Sequence, residues 1–117
     1  MHELTVCQGL MREVMRVAED QHAERVLSIT LRVGPLAGVE PALIESAYPL
    51  AAAGTCAAGA TLRIERTALE VRCLACGQAS EVEVSSLLCR ACGSWRVEVI
   101  SGEELVLASL ELERADD

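Results

Sequence analysis

The sequence predicts an α+β protein in which a three-stranded sheet carries two helices and a four-cysteine zinc-ribbon-like module is inserted into the chain. Three observations predict this class. Two segments have apolar residues at helical spacing, three have the alternation that is typical of strands, and four cysteines form two CxxCG motifs. Their order along the chain places the cysteine module between the last two strands of the sheet.

The first helix is predicted to begin almost at residue 1. One face is apolar, the other is charged or polar, and the apolar face consists of Leu4, Cys7, Leu10, Met11, Val14, Val17 and Ala18. We interpret Cys7 as a buried thiol of this face, with a soft metal ligand as the alternative. Met11 and Met15 are interpreted as core and boundary residues, and His22 as a solvated residue beyond the helix.

A strand over residues 27–33 follows, and Gly34-Pro35 ends it. Pro41 is tolerated at the first position of a helix and opens the second one. Gly54 suits the C-terminal cap of that helix. Pro49 lies inside it, and we expect this proline to kink the helix or cut it short.

The second half of the chain is predicted to contain only strands. One includes Leu62 and Ile64, and its alternation continues through Leu69 and Val71. Short strands around residues 82–84 and 97–99 belong to the zinc module, and a last strand covers 105–112. We therefore expect an α/β domain of residues 1–68 and 102–117 and a zinc-binding module of residues 69–101.

The cysteine motifs are the strongest chemical signal. Cys73 and Cys76 form the first knuckle, Cys89 and Cys92 the second, and a glycine follows each pair. Glycine adopts positive φ readily, which lets the backbone turn beneath a metal. Four thiolates make a closed tetrahedral site, so the expected ion is a structural Zn²⁺. The alternative is a pair of redox or disulfide motifs, which requires cysteines free of metal. Cys56 is interpreted as an incidental free thiol.

Composition excludes some classes of partner. The 117 residues carry a formal charge of −8 and include one Trp, one Tyr and no Phe. A nucleic-acid module needs a basic face and stacking aromatic rings, so no nucleic-acid partner is expected. The chain shows neither a signal-peptide pattern nor a membrane span. Six cysteines without an export signal predict a cytoplasmic protein with metal-bound thiolates.

The N-terminus, Met1-His2-Glu3, is a second candidate site. A terminal amine, backbone nitrogens and an imidazole form chelate rings, and a planar nitrogen set suits Ni(II) or Cu(II). The first amides of a helix have no intrahelical partner, so they remain free for such a role. The alternative is that His2 is simply a solvated residue.

These motifs together resemble the HypA/HybF family of hydrogenase nickel-incorporation proteins. The matching stretches are Met1-His2-Glu3-Leu4, Cys7-Gln8, Val33-Gly34, Gly38-Val39-Glu40-Pro41, Gly54-Thr55, Gly59-Ala60-Thr61-Leu62, both CxxCG knuckles and Ser101-Gly102-Glu103-Glu104-Leu105. One departure is Arg90, which stands where the family often has proline. The resemblance implies a nickel metallochaperone, not an enzyme. His2 is then the nickel imidazole ligand, the Met1 amine and Glu3 backbone are further ligands, and the four knuckle cysteines bind zinc.

The resemblance also implies partners: a GTPase of the HypB type, the hydrogenase large subunit and, in some organisms, urease maturation proteins. Two hypotheses of other classes stay open. One is a zinc-ribbon module for protein–protein interaction without metal transfer. The other is a thiol redox enzyme, which needs a metal-free CxxC motif and a cysteine with a perturbed pKa.

Overall fold

The computed structural model describes residues 3–114, and the predicted α+β class is confirmed. The elements are α1 (Glu3–Asp20), β1 (Ala23–Val33), α2 (Pro41–Ala52), β2 (Thr61–Arg66), β3 (Leu69–Cys73), β4 (Ala79–Val82), β5 (Val97–Ser101) and β6 (Leu105–Arg114). They form two three-stranded sheets with the orders β2-β1-β6 and β4-β3-β5. No helix among the described residues is long and apolar enough to cross a membrane.

The chain folds as two compact units. The first consists of the described parts of Met1–Leu31, Val39–Glu65 and Val106–Asp117, and we call it the helical unit. The second consists of Arg32–Gly38 and Arg66–Leu105, and we call it the cysteine unit. Both helices belong to the first unit and all four knuckle cysteines to the second. The predicted division by function, at residues 68/69 and 101/102, stays a prediction.

Helix α1 is amphipathic as predicted, and its apolar stripe packs on α2. The buried residues of its stripe are Cys7, Leu10, Met11, Val14 and Ala18. The Cys7 thiol donates a hydrogen bond to the Ile44 carbonyl oxygen of α2, with Sγ and O 3.5 Å apart. Met11 is buried and Met15 half-buried, as a core and a boundary residue should be.

Helix α2 begins as the sequence predicts but passes through its internal proline. The Glu40 side chain caps the helix by accepting the backbone N–H of Ala42, and Pro41 occupies the first turn. The helix continues three residues beyond Pro49 to Ala52, so it is not cut short there. Proline lacks the N–H that would donate to the carbonyl of Glu45, and both residues are exposed, so this carbonyl is not left without a partner inside the core. Gly54 follows the cap with φ +77°.

The expectation of one strand running from Leu62 to Val71 is wrong. Strand β2 ends at Arg66 and pairs in the first sheet, whereas β3 begins at Leu69 and lies in the second. Thr67 and Ala68 separate them, and the backbone N–H of Thr67 donates to the Val33 carbonyl oxygen at 3.0 Å. The apolar alternation has the same period on both sides of this break. Periodicity alone therefore does not reveal it.

The cysteine unit is a small antiparallel sheet with β3 at its centre. Val71 lies opposite Ser80 of β4 and Val99 of β5. Strand β4 begins at Ala79, earlier than the predicted 82–84, and a bridge between Glu83 and Ser86 closes the turn that follows it. The order of elements confirms that β3–β5 are inserted between β2 and β6.

Candidate metal centre

The two knuckles repeat one backbone arrangement. In the first, the N–H groups of Ala75 and Cys76 point at the Cys73 sulfur, both at 3.3 Å. Gly77 then turns the chain with φ +80° and donates its N–H to the Cys73 carbonyl oxygen at 3.0 Å. A side chain at this φ is strained, which explains the glycine of the CxxCG motif.

The second knuckle shows the same contacts with the same spacing. The N–H of Ala91 points at the Cys89 sulfur at 3.4 Å. Gly93 has φ +79° and donates to the Cys89 carbonyl oxygen at 2.8 Å. Because each motif builds its turn from local hydrogen bonds, the sequence signal CxxCG was sufficient to predict both turns.

The fold brings the four sulfurs together. Cys73 and Cys92 have their sulfurs 3.6 Å apart, and so do Cys76 and Cys89. One ligand atom from each of the four residues lies within 4.8 Å of all the others. Tetrahedral zinc with Zn–S bonds of about 2.3 Å places its sulfur ligands about 3.8 Å apart. The separations and the donor type therefore fit a closed Zn²⁺ site, in which the ion supplies a cross-link and no open position.

Backbone dipoles prepare two of these sulfurs for a cation. The N–H of Cys76 is the main reason that the pKa of Cys73 is lowered to about 6, and the N–H of Cys92 likewise lowers the pKa of Cys89. At Cys92 the N–H of Ser94 acts in the same direction. The neighbouring sulfur of Cys73 and burial outweigh it and raise the pKa to about 12. Four thiolates repel one another at this distance, and a divalent cation relieves that repulsion.

The second candidate site is only partly described. Met1 and His2 lie outside the described residues, so the structure does not test their predicted roles. Helix α1 begins at Glu3, the third predicted contributor. The Glu3 carboxylate accepts the backbone N–H of Glu40 at 3.5 Å, which ties the start of α1 to the start of α2. The sequence predicted that the second helix begins at Pro41, but it did not predict this contact with Glu3.

The two remaining cysteines and His22 lie apart from the knuckles in sequence. Cys7 is fully buried, and burial followed by the charge of Glu3 raises the pKa of its thiol. It is therefore the buried thiol that the helical spacing predicted. Cys56 is half-buried with its sulfur 3.9 Å from that of Met15. His22 is exposed with φ 55° directly after α1.

A carboxylate that sequence reasoning left unassigned organises the exit from the cysteine unit. Glu104 accepts the hydroxyl of Thr67 at 2.7 Å and the backbone N–H groups of Gly102 and Glu103. The Thr67 hydroxyl first, and the Gly102 N–H next, lower the pKa of this carboxyl group. Gly34 passes so close that a Cβ there would lie 2.1 Å from the Gly102 carbonyl oxygen. In the sequence, the only pointer to these contacts of Glu104 was the motif Ser101–Leu105, which contains it.

The fold and the site define a class: a small α+β protein that carries a four-cysteine metal-binding cluster in an inserted module. A family model described as "Hydrogenase/urease nickel incorporation, metallochaperone, hypA" matches residues 1–112. The chain therefore belongs to the HypA family, which confirms the resemblance found in its motifs.

Individual relatives agree with this assignment. The chain is 52% identical to "Hydrogenase maturation factor HypA" of Nitrosospira multiformis over 112 residues, covering 96% of this chain and 97% of that protein. It is 39% identical to the protein of the same name from Aquifex aeolicus, covering 97% and 98%. The solution structure of the Ni metallochaperone HypA from Helicobacter pylori superposes with a TM-score of 0.70 at 23% identity, covering 97% and 99%. At that identity the structural similarity shows the fold alone.

Proposed function

We propose that this protein is a nickel metallochaperone for hydrogenase maturation that binds Ni(II) at its N-terminus and hands it to an acceptor enzyme. His2 supplies an imidazole nitrogen, Met1 its terminal amine and Glu3 a backbone nitrogen. The four knuckle cysteines bind a structural Zn²⁺. The observation that carries the proposal is the family match over residues 1–112, which includes this N-terminal triplet and both knuckles.

The start of α1 supports the nickel site. Because the helix begins at Glu3, the amide nitrogens at its first turn have no intrahelical carbonyl partner. The positive end of the helix dipole also favours the negative charge of a deprotonated amide. The bond between Glu3 and the Glu40 N–H uses the carboxylate, and it leaves the Glu3 backbone nitrogen available.

A delivery protein must also release its cargo. Protons compete with the metal for an amine, an imidazole and an amide nitrogen alike, so acidification favours release. Zinc held by four thiolates in a closed site has no position for exchange with a partner. The division of labour is therefore an exchangeable nickel site on the helical unit and a permanent zinc site in the cysteine unit.

The proposed partners follow from the family. The relatives are named hydrogenase maturation factors, and the family description adds urease. We propose a GTPase of the HypB type as the partner that acts with this protein and the hydrogenase large subunit as the acceptor. In organisms with urease, its maturation proteins are further partners.

A nickel titration tests the site. Untagged protein, Nα-acetylated protein and the His2→Ala variant are titrated with Ni(II) by calorimetry at several pH values, and zinc is measured in each. Acetylation and His2→Ala should each weaken binding at least tenfold, and neither should change zinc content because no cysteine ligand is altered. Binding to the untagged protein should weaken as the pH falls.

His22→Ala is the matched control, since it removes the other histidine of the chain, which is exposed. It should bind nickel like the unaltered protein. Equal affinity in all four proteins would place nickel elsewhere, with Cys7 as the next candidate ligand. Absence of nickel binding to the untagged protein would favour the second hypothesis, a zinc-ribbon interaction module without metal transfer.

A further inference from the structure

Cys7 is a buried thiol to which neither proposed metal site assigns a role. It is fully buried, whereas residues 3–6 before it are exposed or half-buried. Its thiol donates a hydrogen bond to the Ile44 carbonyl oxygen of α2, and Ile44 is itself fully buried. In the part of α1 that the structure describes, Cys7 is therefore the first residue to be fastened in the interior of the helical unit.

A second contact joins the same two helices one turn earlier. The Glu3 carboxylate accepts the backbone N–H of Glu40 at 3.5 Å. Glu3 and Cys7 are four residues apart on α1, and Glu40 and Ile44 are four residues apart from the cap of α2 onward. Since four residues make about one helical turn, the two contacts join successive turns of both helices. The start of α1 therefore lies along the start of α2.

The two contacts differ in strength. The one between Glu3 and Glu40 is exposed, and 3.5 Å is long for a bond between nitrogen and oxygen, so water competes with it. The bond of the Cys7 thiol is buried, where a hydrogen bond is electrostatically stronger than in water. A carbonyl oxygen has two lone pairs, so that of Ile44 accepts the thiol without losing a helical partner. Cys7 therefore provides the firmer attachment.

This attachment lies one turn from the proposed nickel ligands. Those ligands are nitrogens of residues 1–3, and α1 begins at Glu3. Helix ends fray, because the first N–H groups have no intrahelical carbonyl partner. A side chain that is fastened one turn into the helix limits this fraying. It therefore reduces the conformational entropy that is lost when several nitrogens close on one metal ion.

We propose that Cys7 is a positioning residue of the nickel site: its thiol fastens the start of α1 to α2, and this attachment slows the release of nickel. A change that separates the starts of the two helices breaks the attachment and speeds release. The start of α2 is thereby part of the control of delivery. The inference rests on the proposed function, since it takes the N-terminus as the nickel site.

The same contact argues against Cys7 as a nickel ligand. A sulfur that donates to a carbonyl oxygen carries its proton, whereas a thiol must lose its proton to bind a metal ion. Cys7 and Ile44 are both fully buried, so a metal ion at this sulfur would have to displace a core contact. The thiol acts on the site through the position of α1.

The test measures how fast Ni(II) passes from the untagged, zinc-loaded protein to excess EDTA, followed by stopped-flow absorbance, with zinc content determined afterwards. Cys7→Ala should release nickel about three- to tenfold faster, the factor that one buried hydrogen bond typically carries. Cys7→Ser keeps a donor and should release nickel more slowly than Cys7→Ala. Val14→Ala is the matched control, since Val14 is fully buried on the same face of α1 but two turns further on. Its release rate should stay within about twofold of that of the unaltered protein, because distant sites act independently.

A second measurement needs no nickel. The amide resonance of Glu40 reports its contact with Glu3 in the nickel-free, zinc-loaded protein. In Cys7→Ala this resonance should shift, because the start of α1 is no longer held along α2. Hydrogen exchange of the amides in the first turns of α1 should accelerate in the same variant. In Val14→Ala the Glu40 resonance should stay in place.

Three outcomes would overturn the role of Cys7. Equal release rates for Cys7→Ala and Val14→Ala would show that core packing explains both. If Cys7→Ser released nickel as fast as Cys7→Ala, the hydrogen-bond donor would have no part in the effect. A charge-transfer band from thiolate to nickel that is present in the unaltered protein and absent from Cys7→Ala would make Cys7 a ligand.

The His2→Ala variant separates this inference from the proposed function. If His2→Ala binds nickel like the unaltered protein, the N-terminal site itself is wrong, and the role of Cys7 falls with it. If His2→Ala loses nickel while Cys7→Ala and Val14→Ala release it alike, only the role of Cys7 is wrong.

Discussion

The two units are stabilised in different ways. The helical unit has an ordinary hydrophobic core, and its buried residues are Cys7, Leu10, Met11, Val14, Ala18, Val26, Ile29, Leu31, Ile44, Tyr48, Ala52 and Ala57. The cysteine unit buries Leu69, Val71 and Val82 as its apolar cluster, with half-buried Leu36 and Val99 among those packed around it. Two more of its buried residues are Cys73 and Cys89, which are candidate metal ligands.

This difference shows how size determines the source of stability. The cysteine unit is so small that its surface is large relative to its volume, and apolar burial alone does not stabilise a unit of that size. A metal bound only by the folded state adds its binding free energy to folding. The helical unit buries more apolar side chains, including those of the α1 stripe, which packs on α2. The units should therefore respond differently to the loss of metal and to the loss of apolar volume.

The largest expected effect is the loss of one sulfur ligand. Cys89→Ser should lower zinc affinity by at least about 100-fold, since even changes outside the ligand shell cost 10–100-fold. The amide resonances of the cysteine unit should lose dispersion, while circular dichroism at 222 nm stays, because both helices lie in the other unit. Cys56→Ser is the control and should retain zinc. If the amide resonances of metal-free Cys89→Ser protein kept their native dispersion, the cysteine unit would not depend on metal for its fold.

The reverse experiment removes core volume from the helical unit. Ile44→Ala deletes a fully buried side chain of α2 and should cost about 2–5 kcal/mol of unfolding free energy. The measurement is urea unfolding followed at 222 nm, with zinc determined separately. Zinc content should not change. Leu43→Ala, at a position that is 50% exposed, should cost less than about 1 kcal/mol, and a similar cost for both variants would show that α2 does not pack as described.

A third variant tests backbone packing in the cysteine unit. Gly34→Ala places a Cβ 2.1 Å from the Gly102 carbonyl oxygen, so the backbone must shift. Overpacking of this kind costs about 1–3 kcal/mol. Amide hydrogen exchange of residues 66–105 should accelerate. Gly59→Ala has open space for its methyl group and should leave stability unchanged or raise it by about 0.4–1 kcal/mol. Equal exchange in both variants would refute the close approach.

The smallest expected effect concerns the Glu104 carboxylate. Its pKa is lowered in the folded state, by the Thr67 hydroxyl first. The stabilisation is therefore fully present above the ordinary pKa of glutamate and is lost as the pH falls through the lowered value. Glu104→Gln should lower the melting temperature slightly, by the same amount at pH 7 and pH 6. Exposed Glu103, mutated to Gln, is the control and should have no effect. A difference that shrinks between pH 7 and pH 6 would contradict this assignment.

Sequence reasoning succeeded where the signal is local. The apolar stripe of α1 has helical spacing, and the structure buries five of its seven predicted residues, including Cys7, while Leu4 and Val17 are half-buried. The knuckles were equally predictable, because CxxCG specifies a turn through its own hydrogen bonds and the positive φ of glycine. The expectation that Pro49 cuts α2 short was wrong, since the helix continues to Ala52, and the expected kink stays a prediction.

The sequence by itself determined the element types, the order of the chain and the four sulfur donors, because these follow from spacing and residue chemistry within short stretches. Only the tertiary structure decided that β2 and β3 belong to different sheets and that Glu104 meets Thr67. It also decided that Trp95 is exposed. These features depend on residues far apart in the chain, whose approach has no periodic trace in the sequence. The physical reason is that local patterns specify which groups need partners, while the fold specifies which partners they meet.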